Sequence, residues 1–162
     1  MSQEKVDTAR RFGEAFEQAN RAYWTNPRSL VAAMKQGDLE SEGEELLSYL
    51  HPEVEWKTAF SLTGETARGH LAFLSVCDSW LETCDDYRTK IREIVDLGGD
   101  HVLVVADALF TGKGTGIQVK GVSFAVLTLH DGLIVRIDEH ADRKEALEAL
   151  ASPAPESDSP RS

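Results

Sequence analysis

The chain has 162 residues, 41% of them apolar, which fits one domain with one hydrophobic core. Its 28 acidic and 17 basic residues give a formal net charge of −11 at pH 7. Because so acidic a surface repels phosphate backbones and anionic lipid head groups, we expect no nucleic-acid partner and no membrane partner. No apolar run approaches the roughly 20 residues of a membrane-spanning helix, and residues 1–11 lack the apolar stretch of a signal peptide, so we expect a cytoplasmic protein.

The first 50 residues predict three helices. Apolar residues between Val6 and Tyr23 recur at helical spacing, and Pro27 ends this helix because proline disfavours a helical residue before it. A second helix follows over residues 30–34, and a third carries the leucines of 46–50.

The remaining residues predict mainly strands, with one helix over 69–84. Alternating apolar and polar residues at 54–58 predict a half-buried strand. Four longer strands follow over residues 87–97, 101–111, 117–129 and 133–141.

The C-terminal end holds one more helix. Asp142 and Glu145 have the spacing of a capping box that opens it. Residues 152–162 are rich in Ser, Pro and Asp and are predicted to be a disordered tail, which leaves residues 1–151 as the folded domain.

The cysteines and histidines give no indication of a disulfide or a metal site. Cys77 and Cys84 lie seven residues apart on one predicted helix, about 10 Å apart along its axis, which is too far for an unstrained disulfide. The five histidines show no pair with metal-ligand spacing on one face. We therefore expect reduced cysteines and no metal.

Three stretches together resemble a known family. They are His51–Trp56 (HPEVEW), Arg68–His70 (RGH), and DGLIVR followed by EHAD over residues 131–142. In this order and spacing they resemble the SnoaL-like branch of the NTF2-like superfamily, over roughly residues 6–150. The resemblance implies an α+β cone, in which a curved antiparallel sheet wraps around the N-terminal and fourth helices and encloses an apolar pocket.

The resemblance leaves the activity open, because the family includes ketosteroid isomerases, polyketide cyclases, limonene-type epoxide hydrolases, dehydratases and non-catalytic binders. Two hypotheses follow. The first is an acid–base enzyme without a cofactor, an isomerase, cyclase, lyase or hydrolase, that acts on a small apolar or polycyclic molecule. The second is a non-catalytic ligand-binding or dimerisation domain.

Glu139 is the leading catalytic candidate. Strand alternation places it on one face with Ile137 and Ala141, where a carboxylate must be paired or have a raised pKa. By resemblance it matches the acid of the epoxide hydrolases, three residues before the closing Asp142. The structural alternative is a closed ion pair with Arg68 or another cation.

Asp107 and His70 are the other catalytic candidates. Asp107 interrupts the apolar run of residues 102–110, and its structural alternative is an aspartate on the outer face or in a dimer interface. His70 opens the helix after residue 69 and could carry protons near neutral pH, or it could simply cap that helix.

Substrate-binding candidates come from the strands and the pocket rim. Trp56 and Thr58 share a face of the first strand, and aromatic rings commonly line small-molecule sites. The full set of candidates is Trp56, Thr58, Arg68, Trp80, Ser123 and Ile137.

Two activities of the family are not expected in this chain. By resemblance, the base of the ketosteroid isomerases falls at about Thr58 and their protonated donor at about Ala125. The arginine and aspartate of the epoxide hydrolase site fall at about Val102 and Val104. None of these side chains can take the corresponding role.

A homodimer is expected through the outer face of the sheet. Helices are predicted to cover one face, while Leu103, Val105 and Leu109 give the other an apolar surface that a second copy could bury.

Overall fold

The computed structural model describes residues 2–58 and 65–151; the predicted disordered tail lies outside these residues. The helices are α1 (Ser2–Thr25), α2 (Leu30–Lys35), α3 (Ser41–Ser48), α4 (His70–Thr83) and α5 (Arg143–Ala151). The strands are β1 (Leu50–Lys57), β2 (Ala67–Arg68), β3 (Cys84–Gly98), β4 (His101–Gly112), β5 (Gln118–His130) and β6 (Leu133–His140).

The described strands form one open, curved sheet in the order β2-β1-β6-β5-β4-β3. Neighbouring strands are antiparallel except for β1 and β6, which run parallel. The predicted α+β cone is confirmed, with a sheet that is antiparallel apart from this one pair. Because β1 pairs with β6, the first strand lies beside the last strand, and Trp56 is in register with Ile137.

The concave face of the sheet packs against α1 and α4 through aromatic rings. The ring of Phe73 on α4 lies 4.6 Å from that of Trp56, and Trp80 lies 4.4 Å from Tyr87. Phe73 is 1% exposed, and burying such a side chain contributes about 1.5–3 kcal/mol. These rings form the inside of the cone.

Helix α1 lies close against the edge strand β3. A Cβ atom on Gly13 would lie 2.3 Å from Cδ1 of Ile91, so any larger residue would displace the Ile91 side chain. One turn along the helix, Oε2 of Glu17 accepts a hydrogen bond of 2.8 Å from the backbone N–H of Ile91. An edge-strand donor that would otherwise be free for another chain is thereby satisfied.

Asp78 on α4 anchors the short helix α2. Its Oδ1 accepts a hydrogen bond of 2.8 Å from the backbone N–H of Leu30, and its Oδ2 accepts one of 3.1 Å from that of Val31. The hydroxyls of Ser29 and Tyr23 also donate to this carboxylate. A helix of six residues cannot persist alone, so its position depends on such contacts.

Helix α5 covers part of the convex face. Asp142 caps the helix as predicted, since the backbone N–H of Glu145 donates to its Oδ1 over 2.7 Å, while the Glu145 carboxylate accepts from the backbone N–H of Ala141. Ala146 is fully buried against Leu103 and Val105, each 1% exposed. Leu103 and Val105 were expected to be exposed residues of a dimer contact. That expectation is wrong, because both side chains are buried within this chain, packed with Ala146 of α5.

None of the helices in residues 2–58 and 65–151 combines the length and the apolar character needed to cross a membrane.

Candidate functional site

A cavity of about 80 Å³ lies between the concave face of the sheet and α1 and α4. We call it the Glu139 chamber. The sheet supplies Trp56, Tyr87, Val104, Ser123, Ala125 and Glu139, and the helices supply Phe12, Phe16 and Phe73. Most of the wall is apolar, so the few polar groups stand in a low-dielectric environment where their interactions are strengthened.

The carboxylate of Glu139 is held from both sides by the neighbouring strands. Because β6 lies between β1 and β5, side chains of both strands reach it. The indole Nε1 of Trp56 donates to Oε1 over 3.2 Å, and the hydroxyl of Ser123 donates to Oε2 over 3.3 Å. Glu139 is partly buried and lies directly opposite Ala125 in the β5–β6 register. Its orientation is therefore fixed by the sheet.

Tyr87 is a second polar group in the chamber wall. It is 4% exposed, and burial raises the pKa of its phenol well above the usual value, with the negative charge of Glu139 adding to the effect. Tyr87 is therefore a neutral phenol at any working pH. It can donate or accept a hydrogen bond but cannot act as a phenolate base.

Arg68 pairs with Glu55 rather than with Glu139. Its guanidinium lies 2.5 Å from the Glu55 carboxylate, at an exposed position beside β1. Arg136 also pairs with Glu55 and with Asp138, and the hydrogen bond to Asp138 is the main reason why the pKa of Arg136 is raised. The closed ion pair considered for Glu139 and Arg68 is absent, and these charges form a network outside the chamber.

The other two catalytic candidates lie away from Glu139. Asp107 is on the convex face, half exposed, with its carboxylate 2.5 Å from the guanidinium of Arg92. Nε2 of His70 is 3.0 Å from the backbone carbonyl of Leu50, which ties the start of α4 to β1. The position of Asp107 agrees with its outer-face alternative, whereas His70 contacts β1 and makes no side-chain cap of α4.

The structure places some of the substrate-binding candidates in the Glu139 chamber and others outside it. Trp56, Ser123 and Ile137 line the Glu139 chamber. Thr58 is buried just after β1, outside the lining, and Arg68 is exposed. Trp80 lines a different cavity, between the helices.

Sequence reasoning missed two parts of the chamber wall. Tyr87, Thr89 and Ile91 alternate along β3 and face inward, a pattern that strand parity could have revealed. Phe12 and Phe16 belong to the apolar stripe of α1, and nothing in that stripe distinguishes a chamber wall from ordinary core.

No group of three or more His, Cys, Asp or Glu side chains in the described part of the chain is placed to hold a metal ion. Among the described residues, the polar groups of the chamber are the carboxylates of Glu139 and Glu17, hydroxyls and an indole. This set suits proton transfer and hydrogen bonding to a small molecule.

The family model of the SnoaL-like domain matches residues 28–137, which include α2 to β6 up to Ile137. A search of curated proteins found no significant match.

Solved structures share the fold at low sequence identity. A candidate SnoaL-like polyketide cyclase from Jannaschia sp. is 14% identical, with a TM-score of 0.59 over 93% of this chain and 94% of that one. An LEH-like epoxide hydrolase from M. tuberculosis is 13% identical, with a TM-score of 0.58 over 92% and 90%. TerC, co-crystallised with polyporic acid, is 23% identical, with a TM-score of 0.56 over 76% and 94%.

Proposed function

Because the chain belongs to the SnoaL-like domain family, we propose that the Glu139 chamber binds a small apolar molecule and that Glu139 exchanges a proton with it. One observation carries this proposal. The carboxylate is oriented by Trp56 and Ser123 inside a largely apolar chamber, within reach of any molecule that fills the space. A positioned carboxylate of this kind is the usual general acid or base of enzymes that need no cofactor.

The chemistry follows from what surrounds the carboxylate. A ligand in the chamber lies against the rings of Phe73 and Phe16, and its reacting atom faces Glu139. Tyr87 supplies a neutral phenol that can hydrogen-bond to an oxygen of the ligand. Isomerisation, cyclisation, dehydration and epoxide opening all require the transfer of a proton at one position of the substrate. The cyclase and the epoxide hydrolase among the structural neighbours agree with this class of chemistry.

Two specific activities fit poorly with the chamber. The position matched to the protonated donor of the ketosteroid isomerases is Ala125, which faces Glu139 with a methyl group. The epoxide hydrolase arginine and aspartate match Val102, which is fully buried, and Val104, which lines the chamber. A reaction at Glu139 must therefore proceed without these partners.

A non-catalytic binding domain is the second candidate function. The observation that favours it is size: the chamber has about 80 Å³, whereas sites for drug-sized ligands have roughly 300–1,000 Å³. The same comparison favours a one-ring ligand over a polycyclic one.

We also propose that the protein forms a homodimer and is located in the cytoplasm. The part of the convex face that α5 leaves uncovered includes Leu109, which is only partly buried. Cys77 and Cys84 are both free and buried, as expected in a reducing compartment.

The substitution Glu139→Gln tests the function. Glu17→Gln is the matched control, because Glu17 lines the same chamber but is bound to the Ile91 backbone. Wild type and both variants are assayed on a panel of small cyclic enones, ketones, alcohols and epoxides, and their thermal stability is measured. We expect Glu139→Gln to keep its stability and lose turnover by roughly 10²–10⁴-fold, with little change in the control.

The other outcomes discriminate between the alternatives. Equal turnover by wild type and Glu139→Gln removes the catalytic role. Panel compounds that bind without turnover favour the binding domain. A large loss of stability in Glu139→Gln would make the carboxylate a structural group.

A further inference from the structure

A second cavity, of about 50 Å³, lies between the helices rather than against the sheet. We call it the helical chamber; its wall includes Phe16, Ala19 and Asn20 of α1 together with Ala33, Leu46 and Trp80. The wall is mostly apolar, and the residues proposed for proton transfer do not line it.

Asn20 places an unsatisfied amide in this chamber. The residue is 9% exposed, and its Nδ2 has no hydrogen-bond partner. Within residues 2–58 and 65–151, the one other buried side-chain donor without a partner is Nε1 of Trp24, which does not line the chamber. An unpaired buried amide destabilises the folded state, so its place on the apolar stripe of α1 needs a reason other than folding.

Phe16 is the partition between the two chambers. It lines both, and its ring lies 6.5 Å from that of Phe73 on one side and 6.4 Å from that of Trp80. Each chamber alone is smaller than the ~150 Å³ apolar cavity that holds a benzene molecule, but together they approach that size. A ligand that occupies both chambers therefore requires the Phe16 side chain to move.

We infer that the two chambers form one ligand site, in which Asn20 Nδ2 donates a hydrogen bond to an oxygen at the end of the ligand remote from Glu139. The ligand class is a one-ring apolar molecule with a carbonyl or other acceptor oxygen. This inference rests on the proposed function, because it places the reacting end of the same ligand at Glu139. Asn20 is then the residue that selects for the acceptor group.

Two probes of equal shape test the role of Asn20: cyclohexanone, and methylenecyclohexane, which has CH₂ in place of the oxygen. Affinities are measured by titration for wild type, Asn20→Ala and the control Asn26→Ala. Asn26 lines the same chamber but is exposed. In ¹H–¹⁵N spectra, the Asn20 side-chain amide and the Trp56 indole report on the two ends of the site.

In the wild type we expect cyclohexanone to bind about 3- to 10-fold more tightly than methylenecyclohexane, the value of one net hydrogen bond, and to shift the Asn20 amide signal. The ratio should fall to about one in Asn20→Ala and stay unchanged in Asn26→Ala. Thermal stability of Asn20→Ala should equal or exceed that of the wild type, because an unpaired amide is removed.

Equal affinity of the wild type for both probes, or an Asn20 amide signal that does not move at saturation, overturns the inference. If the Trp56 indole shifts while the Asn20 amide does not, the inference fails and the Glu139 chamber remains a binding site. If the ratio depends on Asn20 but Glu139→Gln leaves turnover intact, only the proposed function fails.

Discussion

The indole of Trp56 donates a hydrogen bond of 3.2 Å to Oε1 of Glu139, from the first strand to the last. The two residues are 83 positions apart in the chain. They meet because β1 and β6 form the parallel pair of the sheet, with Trp56 in register with Ile137. The orientation of the Glu139 carboxylate therefore depends on the pairing of the first strand, β1, with the last strand, β6.

Trp56→Phe should impair function more than stability. The substitution keeps a ring against Phe73 and removes the Nε1 donor to Glu139. A hydrogen bond to a charged group contributes about 1.5–3 kcal/mol, so we expect turnover to fall by roughly 10- to 100-fold. Steady-state kinetics measure this, with Trp24→Phe as the control of equal volume loss outside both chambers. An equal effect of the two variants would contradict an orienting role for the indole.

The sequence was sufficient to predict most of the architecture. The hydrophobic alternation of β1 and β3 to β6 and the capping box at Asp142 are local signals, and each produced the predicted element. The parallel pairing of β1 with β6 was not predictable in this way, because pairing partners are chosen by the tertiary fold. The two-residue strand β2 is too short for any periodicity.

Asp78→Ala should destabilise the fold by about 2–3 kcal/mol. The change leaves the backbone donors of Leu30 and Val31 without their carboxylate and releases α2, which cannot persist alone. Urea unfolding measures the loss. The control is Asp38→Ala, since Asp38 is 70% exposed and lies 3.7 Å from Arg28, a surface pair that contributes little. Equal unfolding midpoints for the wild type and Asp78→Ala would refute the anchoring role.

Tyr87 should make the protein sensitive to alkali. Burial, and to a lesser degree Glu139, raise its pKa in the folded state, whereas the unfolded phenol titrates near 10. The folded state therefore holds the proton that the unfolded state loses. Its contribution to stability is complete below about pH 10 and falls above it, by about 1.4 kcal/mol per pH unit.

Tyr87→Phe should reduce this alkaline slope. It should not remove it, because the pKa of Tyr23 is also raised, by burial and by the neighbouring Asp78. Urea unfolding at a series of pH values from 8 to about 11 gives the slopes of both proteins. Identical slopes would show that Tyr87 titrates normally.

The convex face should form the dimer contact beside α5 rather than at Leu103 and Val105. We expect a dimeric mass by light scattering at micromolar concentration. Leu109→Glu should give a folded monomer, because it places a charge on the uncovered part of that face. Val119→Glu is the control, since strand alternation turns Val119 toward the other face of β5. A monomeric wild type would end the proposal.

The candidate site was only partly predictable. Glu139, Trp56, Ser123 and Ile137 meet at one chamber, as strand parity indicated for the strand carrying Glu139. Strand parity could not predict the position of Asp107. Parity shows which residues share a face of a strand, but not whether that face is the concave or the convex one. Asn20 lies on the apolar stripe of α1, and only the three-dimensional packing shows that this buried residue lines a cavity.

The Glu139 chamber is built from two kinds of wall. The sheet carries Glu139, Trp56 and Ser123, whose positions are locked by strand pairing, whereas Phe16 and Phe73 on the helices set the shape of the space. Substitutions on the helices can therefore alter which molecule fits without moving the Glu139 carboxylate. A chain organised in this way can diverge toward new ligands by changes at a few helical positions, while the sheet keeps the carboxylate in place.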